Sequence, residues 1–269
     1  MNWSETLRED LRQRAEAWAA GGNLPTYRSR GRAPVVLFEA CEDRSAHGNF
    51  LPASWKAICE FPEWARRLEK PHSQRSAFPA AKASAAKELD SSNSSDALLM
   101  NCFCYPRATD RLLVGLGLPA QASSPVFGFR AEVALNDAAR DMTEVDMRLG
   151  SLLVEAKLTE KDFTNRPASH VERYAGLDTT FVVRLLPRQS GDYLGYQLIR
   201  NVLAARQHKA QLCVLLDQRR PDLLQDWWAV HSAIRDPDLR ARCCFRTWQQ
   251  VRAASPAPLA AFLTAKYGL

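Results

Sequence analysis

The chain has 269 residues, 46% of them apolar and 25% charged, with 36 Lys and Arg against 30 Asp and Glu. These proportions are those of an ordinary folded protein and exclude a disordered or low-complexity chain. No run approaches the roughly 18 apolar residues of a membrane span, the opening Met1-Asn2-Trp3-Ser4-Glu5 lacks the pattern of a secretory signal, and seven cysteines, an odd number, fit reduced thiols in a cytoplasm better than a disulfide framework.

Residues 4–20 read as an amphipathic helix. Ser4 suits its N-cap, Leu7, Leu11, Ala15 and Trp18 form one apolar stripe, and Gly21-Gly22 stops it. Arg28, Arg30 and Arg32 alternate in the loop beyond, either as phosphate contacts or as plain surface. Pro34 to Ala40 has the apolar run of a buried strand, and His47-Gly48-Asn49-Phe50 follows in a turn. Two short helices come next, around Trp55 to Cys59 and from Pro62, at the first-turn position, to Glu69. Residues 79–95 divide into a small-residue helix and a Ser-rich loop, whose Ser94 or Ser95 would cap the next helix. That helix, Asp96 to Cys104, is apolar almost all round, so burial is expected. Pro106 ends it. Residues 126–135 suit a strand, with Glu132 near its end.

The stretch from Thr143 to Leu158 carries the chemistry. Glu144, Asp146 and Arg148 alternate with Val145, Met147 and Leu149, the period of a half-buried strand. Gly150-Ser151 makes a tight turn. Leu152-Leu153-Val154 then leads into Glu155-Ala156-Lys157, as a central strand would. Residues two apart on a strand share a face, so Glu155 and Lys157 point the same way. In normal hairpin register Asp146 joins them. Three charges on a core face are costly unless paired or metal-bound. Two carboxylates make a hard-oxygen site suited to Mg²⁺, and an ammonium beside them can steady a phosphate oxygen or an attacking water. Of the eight lysines, only Lys157 has an acid two residues before it. The alternative is a solvated Glu155–Lys157 pair on an exposed strand, against which the apolar lead-in argues.

Downstream, Ser190 would cap a helix from Asp192 to about Gln207, Ala210 to Asp217 reads as a buried strand, and Pro221 to Ile234 as a helix containing Trp227 and Trp228. A short strand from residue 243 and helices at Thr247–Ala254 and Leu259–Lys266 complete the chain. Charge is uneven: residues 190–269 hold eleven Arg and Lys against six acids, whereas residues 121–189 hold nine against ten. A basic region beside a locally acidic site suits a polyanionic partner; a solvated basic surface is the alternative. No Cys-x₂-Cys occurs, so a metal cluster on Cys41, Cys59, Cys102, Cys104 or Cys243-Cys244 is not expected.

Asp146, eight intervening residues and Glu155-Ala156-Lys157 together resemble the PD-(D/E)XK signature of the restriction-endonuclease-like nuclease superfamily. From 95 to 217 the order of helix, three strands, helix and strand is similar to that superfamily's common core. Glu155-Ala156-Lys157-Leu158-Thr159-Glu160 and His47-Gly48-Asn49-Phe50 are also similar to stretches of bacterial restriction-endonuclease-like proteins. The resemblance implies an α/β fold with an αβββαβ mixed sheet flanked by helices. The resemblance covers residues 95–217, the expected catalytic core; residues 1–94, an N-terminal accessory part, and 218–269, a mostly helical C-terminal part, lie outside it but are expected to belong to the same single nuclease-like domain, 1–269. It implies Mg²⁺ or Mn²⁺ held by Asp146, Glu155 and the Ala156 carbonyl, with Glu132 matching an additional upstream acid, and Lys157 on the scissile phosphate or the nucleophilic water. Gln197 and Arg200, three apart on one helix face, would support the site and touch the phosphate. Capping or structural pairing is the other reading of both. His47, His72 and His170 are lone loop histidines with no assigned role. The expected activity is hydrolysis of DNA, as an endonuclease, in the cytoplasm and away from membranes. Restriction enzymes often dimerise, but no interface is legible here. The alternatives are a catalytically silent nucleic-acid-binding module, a nuclease for RNA or repair intermediates, and a protein-interaction scaffold.

Overall fold

In the computed structural model the hairpin forms where the alternation places it. The structure describes every residue except Met1, 31–33, 42–44, 74–76 and Pro79; Arg32 therefore lies outside the described residues. Strand Glu144–Leu149 runs antiparallel to Leu152–Ala156, Met147 opposite Val154 and Leu149 opposite Leu152. Val145, Met147 and Leu149 are buried, while Glu144, Asp146 and Arg148 are half-buried. The turn requires glycine. Gly150 has φ +57°, and a Cβ there would stand 2.3 Å from Gln121 Oε1, the oxygen that accepts the Ser151 N–H at 2.9 Å.

Five strands form one mixed sheet in the order Cys243–Thr247, Gln211–Leu216, Leu152–Ala156, Glu144–Leu149, Val126–Arg130. The first three are parallel and the remaining pairings antiparallel. Leu152–Ala156 lies at the centre with all five residues buried, which explains its apolar run. Parallel neighbours need a long crossover. Here it includes three two-residue strands, Arg166–Pro167, Arg188–Gln189 and Asp192–Tyr193, short helices Ala168–Val171 and Leu177–Thr180, and then helix Tyr196–Gln207. Leu198, Ile199, Val202 and Leu203 of that helix share a core with Leu153, Leu212, Val214 and with Trp227 of helix Pro221–His231.

Several local readings change. The crossover helix begins at Tyr196 rather than Asp192, because Ser190 (φ +51°) and Gly195 (φ +68°) break the backbone ahead of it; Ser190 is not its cap. The strand read over 126–135 is two pieces, Val126–Arg130 and Val133–Ala134, with Glu132 at φ +50° between them. The first helix spans Trp3–Gly22, and Asn2, not Ser4, caps it by accepting the Glu5 N–H at 3.3 Å. Ser94 does cap Ser95–Phe103, through the Ala97 N–H at 3.1 Å. Helices Thr109–Gly115 and Pro237–Arg242 lack a strong enough pattern to have been read.

The chain divides into two compact units, one of Met1–Ala120 with Trp248–Leu269, the other of Gln121–Thr247. In the first, both ends of the chain meet: Trp18 packs edge-on to Phe262 with centroids 5.4 Å apart, and Arg111 Nε donates to the Ala254 carbonyl at 2.9 Å. The second holds the five-stranded sheet with its helices, an arrangement compatible with a restriction-endonuclease-like fold. Helix Ser95–Phe103 falls in the first unit and the strands with the crossover helix in the second. All seven cysteines are free thiols. Among the described residues, no helix is long and apolar enough to cross a membrane.

Candidate active site

The two arms of the hairpin bring Asp146, Glu155 and Lys157 together. Asp146 Oδ2 accepts the Ala156 N–H at 2.7 Å, across the strand pair. Lys157 Nζ donates to Glu155 Oε1 at 2.8 Å. Glu155 is 1% exposed and Lys157 5%, so this is a buried ion pair and not the solvated one. The Lys157 N–H continues the ladder to the Leu215 carbonyl at 2.8 Å, which fixes the backbone from which the side chain rises. Beyond it, Glu160 Oε2 accepts the Leu158 N–H at 2.6 Å.

Burial works against the Lys157 ammonium, yet its pKa is raised, because the charges of Glu155, Glu160 and Asp146 outweigh that penalty. Lys157 is therefore a fixed cation across the physiological range.

Helix Tyr196–Gln207 supplies the support. Asn201, wholly buried, donates through Nδ2 to Glu155 Oε2 at 2.8 Å. Arg200 Nη2 donates to Asn201 Oδ1 at 2.8 Å and to the Glu144 carbonyl at 2.8 Å, so the guanidinium holds the amide in the orientation that presents its NH₂ to Glu155. Arg200 Nη1 is enclosed with no hydrogen-bond partner among the described residues. Gln197 is not part of this network. Its Oε1 accepts from Thr164 Oγ1 at 3.4 Å and its N–H donates to the Phe163 carbonyl, which fastens the start of the helix to the loop after Lys157. The same loop is fastened from the other side by Arg220, wholly buried, donating to the Leu158 and Lys161 carbonyls at 3.1 and 3.2 Å.

Glu132 is exposed on the edge of the broken strand, and only its carbonyl is used, by Arg140 and Gln207. Among the described residues, no three His, Cys, Asp or Glu side chains gather closely enough to hold a metal ion. Asp146 and Glu155 are the pair that could. Mg²⁺ needs only one or two protein carboxylates and takes water and substrate oxygens for the rest. Carboxylate oxygens beside an excess of negative charge fit that chemistry.

The remaining candidates have other work. His47 Nδ1 accepts the Asn49 N–H and its Nε2 meets Asp90 at 3.1 Å. His72 packs against Phe78, with centroids 4.8 Å apart. His170 stands edge-on to Tyr196 at 5.2 Å, and Tyr196 donates to Asp141 at 2.9 Å. Arg28 pairs with Glu16 at 2.8 Å. Asn201 is not among the residues the sequence points to, and Glu160 appears there only within a resembling stretch, with no place in the site. A single amide ahead of Val202-Leu203-Ala204-Ala205 was the available signal for Asn201, since a polar side chain on a buried helix face must have a partner.

No curated protein and no solved structure matches the chain. A family model does match, over residues 12–268: the chain belongs to the family described as restriction endonuclease associating with ARP.

Proposed function

We propose that the chain is a metal-dependent nuclease hydrolysing DNA phosphodiester bonds at Asp146, Glu155 and Lys157. One observation carries the reading: Glu155, ion-paired to buried Lys157 at 2.8 Å, and Asp146, bonded across the strand pair to the Ala156 N–H between them, stand together within a family of restriction-endonuclease type. Asp146 and Glu155 would hold Mg²⁺ or Mn²⁺, with the Ala156 carbonyl as a further ligand. When bound, a divalent cation polarises the phosphoryl oxygen and lowers the pKa of its water.

The chain's own groups do the rest. Lys157, held charged, cannot act as a base; it donates hydrogen bonds and places positive charge where the phosphate or the attacking water develops negative charge. Glu155 is kept aimed by Asn201 on one oxygen and Lys157 on the other. Asp146 is kept aimed by the Ala156 N–H. Arg200 steadies Asn201 and stands as a cation behind the pair.

Purified protein is expected to nick supercoiled plasmid in Mg²⁺ or Mn²⁺ and to lose that activity in EDTA. A panel of duplex DNA, single strands and RNA identifies the substrate. The near-complete enclosure of Glu155 and Lys157 favours a second reading, a silent member of the fold that grips nucleic acid without cutting it. Salt-dependent DNA binding with no turnover in any metal selects that reading over the first.

A further inference from the structure

The first unit contains a cavity of its own, of about 260 Å³. Tyr27, His47 and Trp55 line it with aromatic surface, the last two with ring centroids 5.0 Å apart. Its more buried lining is polar at one point, where His47 Nε2 meets Asp90 Oδ1 at 3.1 Å. Its outer lining is charged. Lys82 pairs with Glu39, and Lys87 with Glu69 at 2.6 Å; all four side chains keep about a third or more of their surface in solvent. Lys82 Nζ also stands 5.3 Å over the Tyr27 ring. Burial and the charges of Asp90 and Glu39 push the Tyr27 hydroxyl up to about 12, so it remains a donor.

We propose that this cavity binds a nucleotide, its base against Tyr27 and its phosphate on Lys82 and Lys87. The volume sits near the ~300 Å³ lower end of small-ligand pockets, so it takes one nucleotide and not a length of strand. Aromatic faces hold a base by stacking. Exposed ion pairs contribute little, so the two ammoniums exchange Glu39 and Glu69 for a phosphate at small cost. Each Asp90 oxygen carries one hydrogen bond, from His47 and from the Lys87 N–H at 3.2 Å. Each keeps a further lone pair for an N–H on the base edge. The nucleotide has two sources: one turned out of a nucleic-acid strand, or one free in solution. None of these residues belongs to the Asp146–Glu155–Lys157 site, so the inference stands apart from the nuclease reading.

Isothermal titration of the full chain with AMP, CMP, GMP and TMP tests it, with ribose 5-phosphate as the control for phosphate alone and a duplex holding one unpaired base as the strand form. At least one nucleotide, free or in the duplex, is expected to bind with Kd below about 1 mM and about tenfold tighter than the control. The double variant Lys82→Glu/Lys87→Glu, altered only at partly exposed side chains, is expected to weaken binding about tenfold with an unchanged circular dichroism spectrum. Tyr27→Ala is expected to weaken it through lost stacking. If the nucleotide comes from the strand, the double variant raises KM for duplex cleavage and leaves kcat alone; if it is free, both stay as they were. A chain that cuts nothing removes the nuclease reading and leaves the titration intact. Absence of binding to every nucleotide form, equal binding of ribose 5-phosphate, or binding unchanged in both variants overturns the proposal.

Discussion

Two lysines in this chain are sealed from solvent, one in each unit, and their surroundings are opposite. Lys266, 2% exposed, sits among the rings of Phe38, Phe262 and Tyr267, 4.5 to 5.7 Å from their centroids, and donates to the Asn49 carbonyl at 3.2 Å and to Asn49 Oδ1. Burial alone sets its pKa well below the usual lysine range. Lys157 suffers the same burial but is surrounded by Glu155, Glu160 and Asp146, and ends above that range. The difference separates structure from function. Dipoles and ring faces lodge the Lys266 amine in the core without holding its proton. Carboxylates beside a buried ammonium are the arrangement the proposed nuclease role would use.

The comparison breaks first if Lys157 proves dispensable. Lys157→Met keeps the stem and removes the charge; plasmid cleavage is expected to fall about 10³-fold, and urea unfolding to show a loss of about 3 kcal/mol from the stranded Glu155. Cleavage within tenfold of the parent would put Lys157 on Lys266's side of the comparison. Asn201→Ala comes next. It leaves all three carboxylates and Lys157 present but unaims Glu155, so cleavage is expected to drop roughly 10–100-fold with a higher metal requirement, while Asn201→Asp should not restore it. An unchanged metal titration would make Asn201 a packing residue only.

Alkaline unfolding sharpens the contrast further, because the two lysines give opposite slopes. The folded pKa of Lys266 lies below the 10.5 of an ordinary lysine. The unfolded chain therefore holds that proton more tightly, and stability rises with pH up to about 10.5. The folded pKa of Lys157 lies above 10.5, so its contribution is complete below that value and is lost only as pH climbs through the folded pKa. Urea midpoints followed from neutral pH to about 10.5 should rise less steeply in Lys266→Met and keep the parent slope in Lys157→Met. Parallel curves for all three proteins would refute the assignment of Lys266. The smallest effect is expected at Glu132. Its exposed carboxylate should be replaceable, and Glu132→Gln should leave cleavage within about twofold, as surface changes usually do; a large loss would place that acid in the site.

The hairpin was legible because alternation and a Gly-Ser turn are local signals, and so were helix Ser95–Phe103 with its Ser94 cap and strand Gln211–Leu216. The crossover between Lys157 and Tyr196 was not. Strands of two residues have no period, and one of their pairings reaches more than twenty residues back, Tyr193 to Arg166. The break at Glu132 was hidden for a similar reason: a left-handed residue between two short strands looks like one strand when only β-propensity is read. In the site, Asp146, Glu155 and Lys157 could be found by strand parity. Asn201 could not be told from a surface amide without knowing which face of its helix meets the sheet.

One unit is assembled from both termini and the other from a single uninterrupted stretch. During synthesis, residues 121–247 leave the ribosome as one uninterrupted stretch. The earlier 120 residues must wait for Lys266 to reach Asn49 and for Phe262 to reach Trp18. The sheet unit is thus placed to mature ahead of the older-synthesised segment, reversing the usual N-to-C order of domain folding. Meanwhile the apolar faces of residues 3–22 and 36–38 await the final helix, so chains stalled before residue 248 present a completed sheet unit tethered to an unfinished one.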